Sequence, residues 1–470
     1  MKKYSSLVFL VIMLAVFTFN SENVAAKASW PAGPSGVSAE GAVVIDMKSG
    51  MVLYEKNMHE ELYPASITKI MTTLVALENS SLDEVIKYDA SAVLGLEQGS
   101  SNAGIQVGEK LTMEQSLYCV MLPSANEACN GVAQHIAGSI QNFAKMMNEK
   151  AKKIGCKNTH FANPNGLWMK NHYTSPYDMA LIMREAMKNE TFRTIAGTTR
   201  YDIPKTNKTK EIRYLAGHHQ MIYPINQPQY GYDYAIAGKT GYTSKSQATL
   251  VTAAKKGDME LICVVMKARS GVQGEPNIYT DTIKLFNYCF EKFSQHSIDD
   301  GTASELADAF MFTKFSPFFD TGNATLSLEG NGSVILPKKV SLDKTTKKVQ
   351  YYNEATETSE GKVIGRVSYY YDGKEAGGAN ILYRKSETST ILSDSIDMTE
   401  WLQEAVEEAS TPAFPWRNLL ILVAISAGVA AVAAFIIMKI KEYKKKAKVR
   451  KHYKRNRNEH LPDYLKRRKK

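Results

Sequence analysis

The stretch Pro64-Ala65-Ser66-Ile67-Thr68-Lys69-Ile70-Met71-Thr72 decides how the rest of the chain is read. Pro64 opens a helix that continues through apolar residues to about Glu78. Residues three apart share a helix face, so Lys69 reaches the Ser66 hydroxyl. A serine at a helix N-terminus also lies among free backbone N–H groups, at the positive end of the helix dipole. That combination suits a nucleophile. The N–H groups supply half of an oxyanion hole, and the lysine serves as base once its proton is made easy to lose. Burial and a like charge from Lys239 are both expected to lower its pKa. Ser-x-x-Lys by itself is weak, because it recurs at Ser341…Lys344 and Ser359…Lys362. Those two lie in polar, strand-rich sequence rather than at the start of an apolar helix.

Two further motifs follow in order, Ser124-Ala125-Asn126 and Lys239-Thr240-Gly241. Ser124 falls at a break in the helical stretch from Met113 to Ser139, which can aim its hydroxyl into a cleft. Lys239 follows a strand candidate at Ala235 to Ala237, and Gly241 permits close backbone approach. A cation and a hydroxyl at that place suit a substrate carboxylate. Ser-x-Asn also occurs at Ser100…Asn102, so only order, spacing and local context together separate a catalytic set from coincidence, in which Ser66 would be a plain helix cap.

Around these motifs the chain reads as one α/β part. Val43 to Met47 and Met51 to Glu55 form a hairpin. Helices follow from Phe143 to Ile154 and from Ser175-Pro176, where Ser caps, Pro takes the first turn and Asp178 supplies an acid. Thr249 to Ala254 and Glu260 to Met266 form a second hairpin, and a helix from Asp281 to Phe293 closes the part. Strands at both ends around a helical middle predict an antiparallel sheet built from distant segments. Beyond residue 300 the texture is short strands: Ala324 to Leu328, Gly332 to Leu336, Lys348 to Tyr352, Val363 to Tyr371 and Asn380 to Tyr383, with a turn at Asp372-Gly373. They predict a small all-β domain over 302–388. A stalk over 389–417, with an acidic helix at Met398 to Ala409, comes next.

The ends carry the topology. Lys2 and Lys3, the apolar run Leu7 to Phe17 and the alanines at 25, 26 and 28 read as a secretory signal over residues 1–26. The run from Leu419 to Met438 is uncharged, and its 20 residues suffice to span a bilayer. Of 470 residues carrying a net charge of +10, the segment 439–470 holds 16 Lys+Arg and 3 acids, or +13. Residues 1–438 therefore sum to −3. Basic residues flank the cytoplasmic end of a membrane helix. The expected topology is an outside ectodomain, a single transmembrane helix over 418–438 and a basic cytoplasmic tail over 439–470. No aromatics in the tail are arranged to stack on bases, so no nucleic-acid partner is expected. Five cysteines (119, 129, 156, 263 and 289) and nine scattered histidines lack metal-ligand spacing. No metal, no cofactor and no disulfide-dependent fold are expected. Cys119 and Cys129 read as helix-packing thiols and His172 as a structural histidine. Arg269 reads equally as a carboxylate partner or a solvated loop residue.

With these residues in hand, the chain resembles the serine-type D-Ala-D-Ala carboxypeptidases, the low-molecular-mass penicillin-binding proteins, over about residues 30–295. The three motifs match the class. Phe161-Ala-Asn-Pro-Asn-Gly-Leu167, His172-Tyr173-Thr174 and Asp178-Met179-Ala180 are similar to its middle signature. The resemblance implies a β-lactamase/transpeptidase-like α/β fold, an antiparallel sheet with a helical subdomain. It makes Ser66 the acylated nucleophile, Lys69 the general base and Ser124 a proton relay. Asn126 would hold the substrate amide and orient Lys69. Lys239, Thr240 and Gly241 would bind the terminal carboxylate end, and the backbone N–H groups of Ser66 and Tyr242 would form the oxyanion hole. Peptidoglycan stem peptides would be the substrates and β-lactams covalent inhibitors. Ala125, Glu127 and Ser244-Lys245-Ser246-Gln247 depart from the commonest family pattern. A D,D-endopeptidase, a β-lactamase-like hydrolase or a catalytically idle wall-binding scaffold are the alternatives on the same fold.

Overall fold

The computed structural model of the chain describes residues 30–269, 277–298, 324–358 and 361–385. Strands β1 (Gly41–Asp46) and β2 (Val52–Lys56) form the first hairpin. Far along the chain, β7 (Ala235–Thr243), β8 (Gln247–Lys256) and β9 (Met259–Ala268) complete an antiparallel sheet in the order β2-β1-β9-β8-β7. β1 is buried along its whole length, as is the middle of β8 and of β9. Their near-continuous Val, Ile, Leu and Ala runs show why: both faces of the sheet are covered.

One face carries the helical subdomain. It contains α1 (Lys69–Asn79), α2 (Met113–Met121), α3 (Asn126–Ala137), α4 (Ile140–Ile154), α5 (Pro176–Ala186) and α6 (Glu190–Gly197). Local chemistry fixes several starts. Thr112 and Gln115 close a reciprocal capping box at α2. Ser175 caps α5 through the Asp178 N–H, with Pro176 in the first turn. Phe143, Met147, Met179, Ile182 and Met183 enter one apolar core with Ile67, Ile70, Met71 and Leu74 of the α1 region. Two short hairpins lie outside the main sheet, β3 (Val85–Lys87) with β4 (Lys110–Thr112) and β5 (Arg200–Ile203) with β6 (Arg213–Ala216).

The opposite face is covered by α7 (Asn277–Lys292), and here the expected division of the chain shifts. The strand β10 (Phe293–Ser297) follows α7 without a linker and pairs with β12 (Ser333–Pro337) of the second sheet. The second sheet thus begins inside the segment assigned to the first part, before residue 302. It continues through β11 (Ala324–Leu328), β13 (Thr346–Thr358), β14 (Gly361–Tyr371) and β15 (Lys374–Lys385), with the expected turn at Asp372-Gly373. One buried cluster joins Val44, Leu261, Cys263 and Phe286 to Phe293, Val334, Leu336 and Val367, so the two sheets share a core. Ser333 Oγ adds a hydrogen bond of 3.3 Å to the buried carboxylate of Asp46.

All five cysteines are unpaired, and Cys119 and Cys129 are buried in helix packing. Among the described residues no helix is long and apolar enough to cross a membrane. The signal over 1–26, the stalk helix, the apolar run from Leu419 to Met438 and the basic tail lie outside the described residues.

Candidate active site

The expected helix from Pro64 begins differently in detail. Ala65 to Thr68 form a 3-10 turn, and the α-helix α1 starts at Lys69. Ala65 has φ +51°, a left-handed conformation that is strained for a residue with a Cβ. The tight turn still puts Ser66 three residues before Lys69. Lys69 Nζ donates to Ser66 Oγ at 2.9 Å, to Asn126 Oδ1 at 2.8 Å and to the Asn165 carbonyl at 2.6 Å. Three acceptors fill the three donor positions of one ammonium group.

Lys69 is fully buried, and that burial holds its pKa below the ordinary lysine value. Lys239 is buried as well, and its pKa is pushed down to about 7, first by burial and then by the Lys69 charge. Two buried amines share one region, and their like charges disfavour both being protonated at once. Lys239 Nζ donates to its neighbour's carbonyl, Thr240 O, at 3.0 Å.

Ser124 sits between α2 and α3 with φ +62°, buried, and its Oγ has no hydrogen-bond partner. Asn126, two residues on, is the first residue of α3 and reaches Lys69 from that helix start. Glu127, one residue on, is buried and accepts from the Ala103 N–H at 2.6 Å. Asn126 N donates to Ser101 O at 2.9 Å. These bonds tie the 101–105 segment to the start of α3.

The strand predicted at Ala235 to Ala237 runs on through Lys239-Thr240-Gly241 to Thr243. Gly241 lies directly against the nucleophile turn: a Cβ there would stand 2.8 Å from the Ser66 nitrogen and 3.1 Å from that of Ile67. The Ser66 amide therefore sits beside the strand that carries the Tyr242 amide. Tyr242 pairs in register with Ala248, and its side chain is 72% exposed. Thr249 Oγ1 of β8 donates to Pro64 O at 2.9 Å, a further tie between sheet and turn.

The loop after α4 holds positioning residues that the motif search left out of the site. Asn163 Oδ1 accepts from Gly166 N at 2.8 Å, and Asn165 Nδ2 donates to Asn130 Oδ1 at 3.1 Å. This geometry presents the Asn165 carbonyl to Lys69. Gly166 has φ +87°, and a Cβ there would meet Ala65 O at 1.9 Å. The signal for this loop was in the sequence, as Asn163-Pro-Asn-Gly166, but its role depends on contact across nearly a hundred residues. His172 is structural, as expected. Its Nδ1 accepts from Ala162 N at 3.0 Å, its Nε2 lies 2.9 Å from Thr68 Oγ1, and burial pushes its pKa down to about 3. Arg269 is exposed at the end of β9, and its charge acts on Glu40.

A serine bonded to a buried lysine, with a glycine-bearing strand against the serine amide, is the arrangement that acyl transfer of the Ser-x-x-Lys kind requires. The profile of the D-alanyl-D-alanine carboxypeptidase family, peptidase S11, matches residues 25–270, and the chain belongs to that family. It is 34% identical over 304 residues to D-alanyl-D-alanine carboxypeptidase DacF of Bacillus subtilis, spanning 63% of this chain and 73% of that protein. It is 27% identical to DacC of Escherichia coli, over 80% of this chain and 90% of that one. Among solved structures, the Streptomyces K15 DD-transpeptidase is similar with a TM-score of 0.50 at 31% identity, covering 55% of this chain and 99% of that one.

Proposed function

We propose that the protein is a serine-type D-Ala-D-Ala carboxypeptidase that removes the terminal D-Ala of peptidoglycan stem peptides through a Ser66 acyl-enzyme. The observation that carries this is the Lys69 Nζ, in hydrogen-bond contact at once with Ser66 Oγ, Asn126 Oδ1 and the Asn165 carbonyl. Neutral Lys69 takes the Ser66 proton as Oγ attacks the penultimate D-Ala carbonyl. The N–H groups of Ser66 and Tyr242 receive the oxyanion, Asn126 holds the substrate amide, and Lys239 and Thr240 hold the terminal carboxylate. Ser124 passes a proton to the departing D-Ala nitrogen, and water then hydrolyses the ester. The same serine opens the β-lactam ring of penicillin.

The sequence supports an extracytoplasmic placement of this site. A secretory signal precedes it, the uncharged run from Leu419 to Met438 follows it, and the basic tail after that run marks the cytoplasmic side. On this reading the second sheet and the stalk are spacers between membrane and active site.

The test uses the full chain in detergent, with fluorescent penicillin and an acyl-D-Ala-D-Ala peptide. Covalent label that disappears in Ser66→Ala, together with D-Ala release, is the expected result. An unlabelled wild type overturns serine acylation. Rapid penicillin turnover without D-Ala release makes the protein a β-lactamase instead.

A further inference from the structure

The wall around Lys239 includes two histidines that the mechanism above leaves idle. His218 and His219 close over Gly238, Lys239 and Thr240 around a cavity of about 20 Å³, room for roughly one water-sized group. His219 is fixed in place. Its Nε2 lies 2.9 Å from Thr252 Oγ1, and a Cβ on Gly238 would stand 2.5 Å from that nitrogen. His218 is different. Its backbone carbonyl accepts from Tyr279 OH at 3.3 Å, which anchors the main chain. Its side chain is exposed and has no hydrogen-bond partner among the described residues.

Resting on the peptidase reading, we propose that His218 is a further substrate-binding residue, whose imidazole N–H donates to the same terminal carboxylate that Lys239 and Thr240 hold. A solvent-reachable ring with a free donor, lining the same cavity as Lys239 and Thr240, is chemically suited to this. Partial desolvation, and then the Lys239 charge, hold the His218 pKa below its ordinary value, so the ring is neutral and still a donor at neutral pH.

The test compares wild type, His218→Ala, His218→Phe and His218→Gln on two substrates. One is an acyl-D-Ala-D-Ala peptide, and the other an acyl-D-Ala thioester whose leaving group has no carboxylate. KM for the peptide should rise about tenfold in the Ala and Phe variants, with kcat little changed. The Gln variant keeps a donor and should recover most of the affinity, and the thioester should not distinguish the four proteins. Unchanged peptide KM in both Ala and Phe variants overturns the inference, as does equal loss on both substrates. Wild type that releases no D-Ala at all overturns the peptidase reading and this inference together. Phe fills the space of the ring, so a fold that fails in the Ala variant still leaves a decisive comparison.

Discussion

Lys69 Nζ donates a 2.6 Å hydrogen bond to the carbonyl of Asn165, a residue 96 positions further along the chain. A base held by a backbone carbonyl is oriented by a loop, and so the loop's own conformation becomes part of the site. The loop keeps that shape through Asn163 and Gly166, and Gly166 is strained ground for any other residue, with φ +87° and Ala65 O in the way. Gly166→Ala should therefore lower stability by about 2–4 kcal/mol, from overpacking and from the left-handed backbone together. Thermal melting of the ectodomain checks this, and penicillin acylation should slow in the molecules that remain folded.

Gly241→Ala tests the other wall of the nucleophile turn. The added Cβ would lie 2.5 Å from Thr249 Oγ1 and 2.8 Å from Ser66 N. It pushes apart the two amides that receive the oxyanion. Acylation should fall by about 10²-fold or more, the cost of one lost oxyanion donor. A variant that acylates at the wild-type rate would show that the two segments do not need to touch.

Ser124 separates strain from catalysis. Its Oγ is buried without a partner and its φ is +62°. Ser124→Gly relieves the backbone and removes an unsatisfied hydroxyl, so stability should rise by about 0.5–1 kcal/mol. D-Ala release should nonetheless fall by about 10²–10⁴-fold, the range for a lost proton-transfer group. Melting curves and turnover measured on the same preparation check both signs. Wild-type turnover in this variant removes Ser124 from the proton path.

The buried amines predict a pH profile. Lys239 must be protonated to hold a carboxylate, and it loses its proton near 7 in the free protein. Lys69 must be neutral to act as base, and its pKa is lowered by burial. kcat/KM should therefore depend on both amines: loss of the Lys69 proton raises it, and loss of the Lys239 proton, near 7, lowers it. Lys239 also affects stability. Between about 7 and 10.5 the unfolded chain binds this proton and the folded one does not, so this contribution rises with pH. Replacement of Lys239 by Met should flatten that rise in melting temperature.

Two buried histidines set the acid limit. His172 and His219 are lowered from 6.5 to about 3, both chiefly by burial. The unfolded chain binds protons that the folded chain refuses between those values, so their contribution is intact above 6.5 and is lost as pH falls toward 3. Melting temperature should drop progressively below pH 6.5, and His172→Gln should make that drop shallower.

Much of the site was legible because its parts are local. Ser66 and Lys69 touch through spacing along one turn, and the 3-10 start of that turn does not change which residue meets which. Asn126 was readable from its place after a helix break. The second sheet was readable from its strand pattern, yet its first strand, β10, was hidden at the end of a helix because pairing with β12 is not a property of Phe293 to Ser297 alone.

By itself the sequence determined the Ser66–Lys69 pair, the order of the three motifs, the strand-rich texture of the two sheets and the charge asymmetry between the 439–470 segment and the rest of the chain. These depend on residue type and short spacing. Tertiary structure alone decided which carbonyl holds Lys69, that Lys69 and Lys239 are both buried, why Gly166 and Gly241 admit no side chain, and that His218 and His219 share a cavity with Lys239. Each of those depends on burial and on distances between segments far apart in the chain, and desolvation and close packing act only once the chain has folded around them.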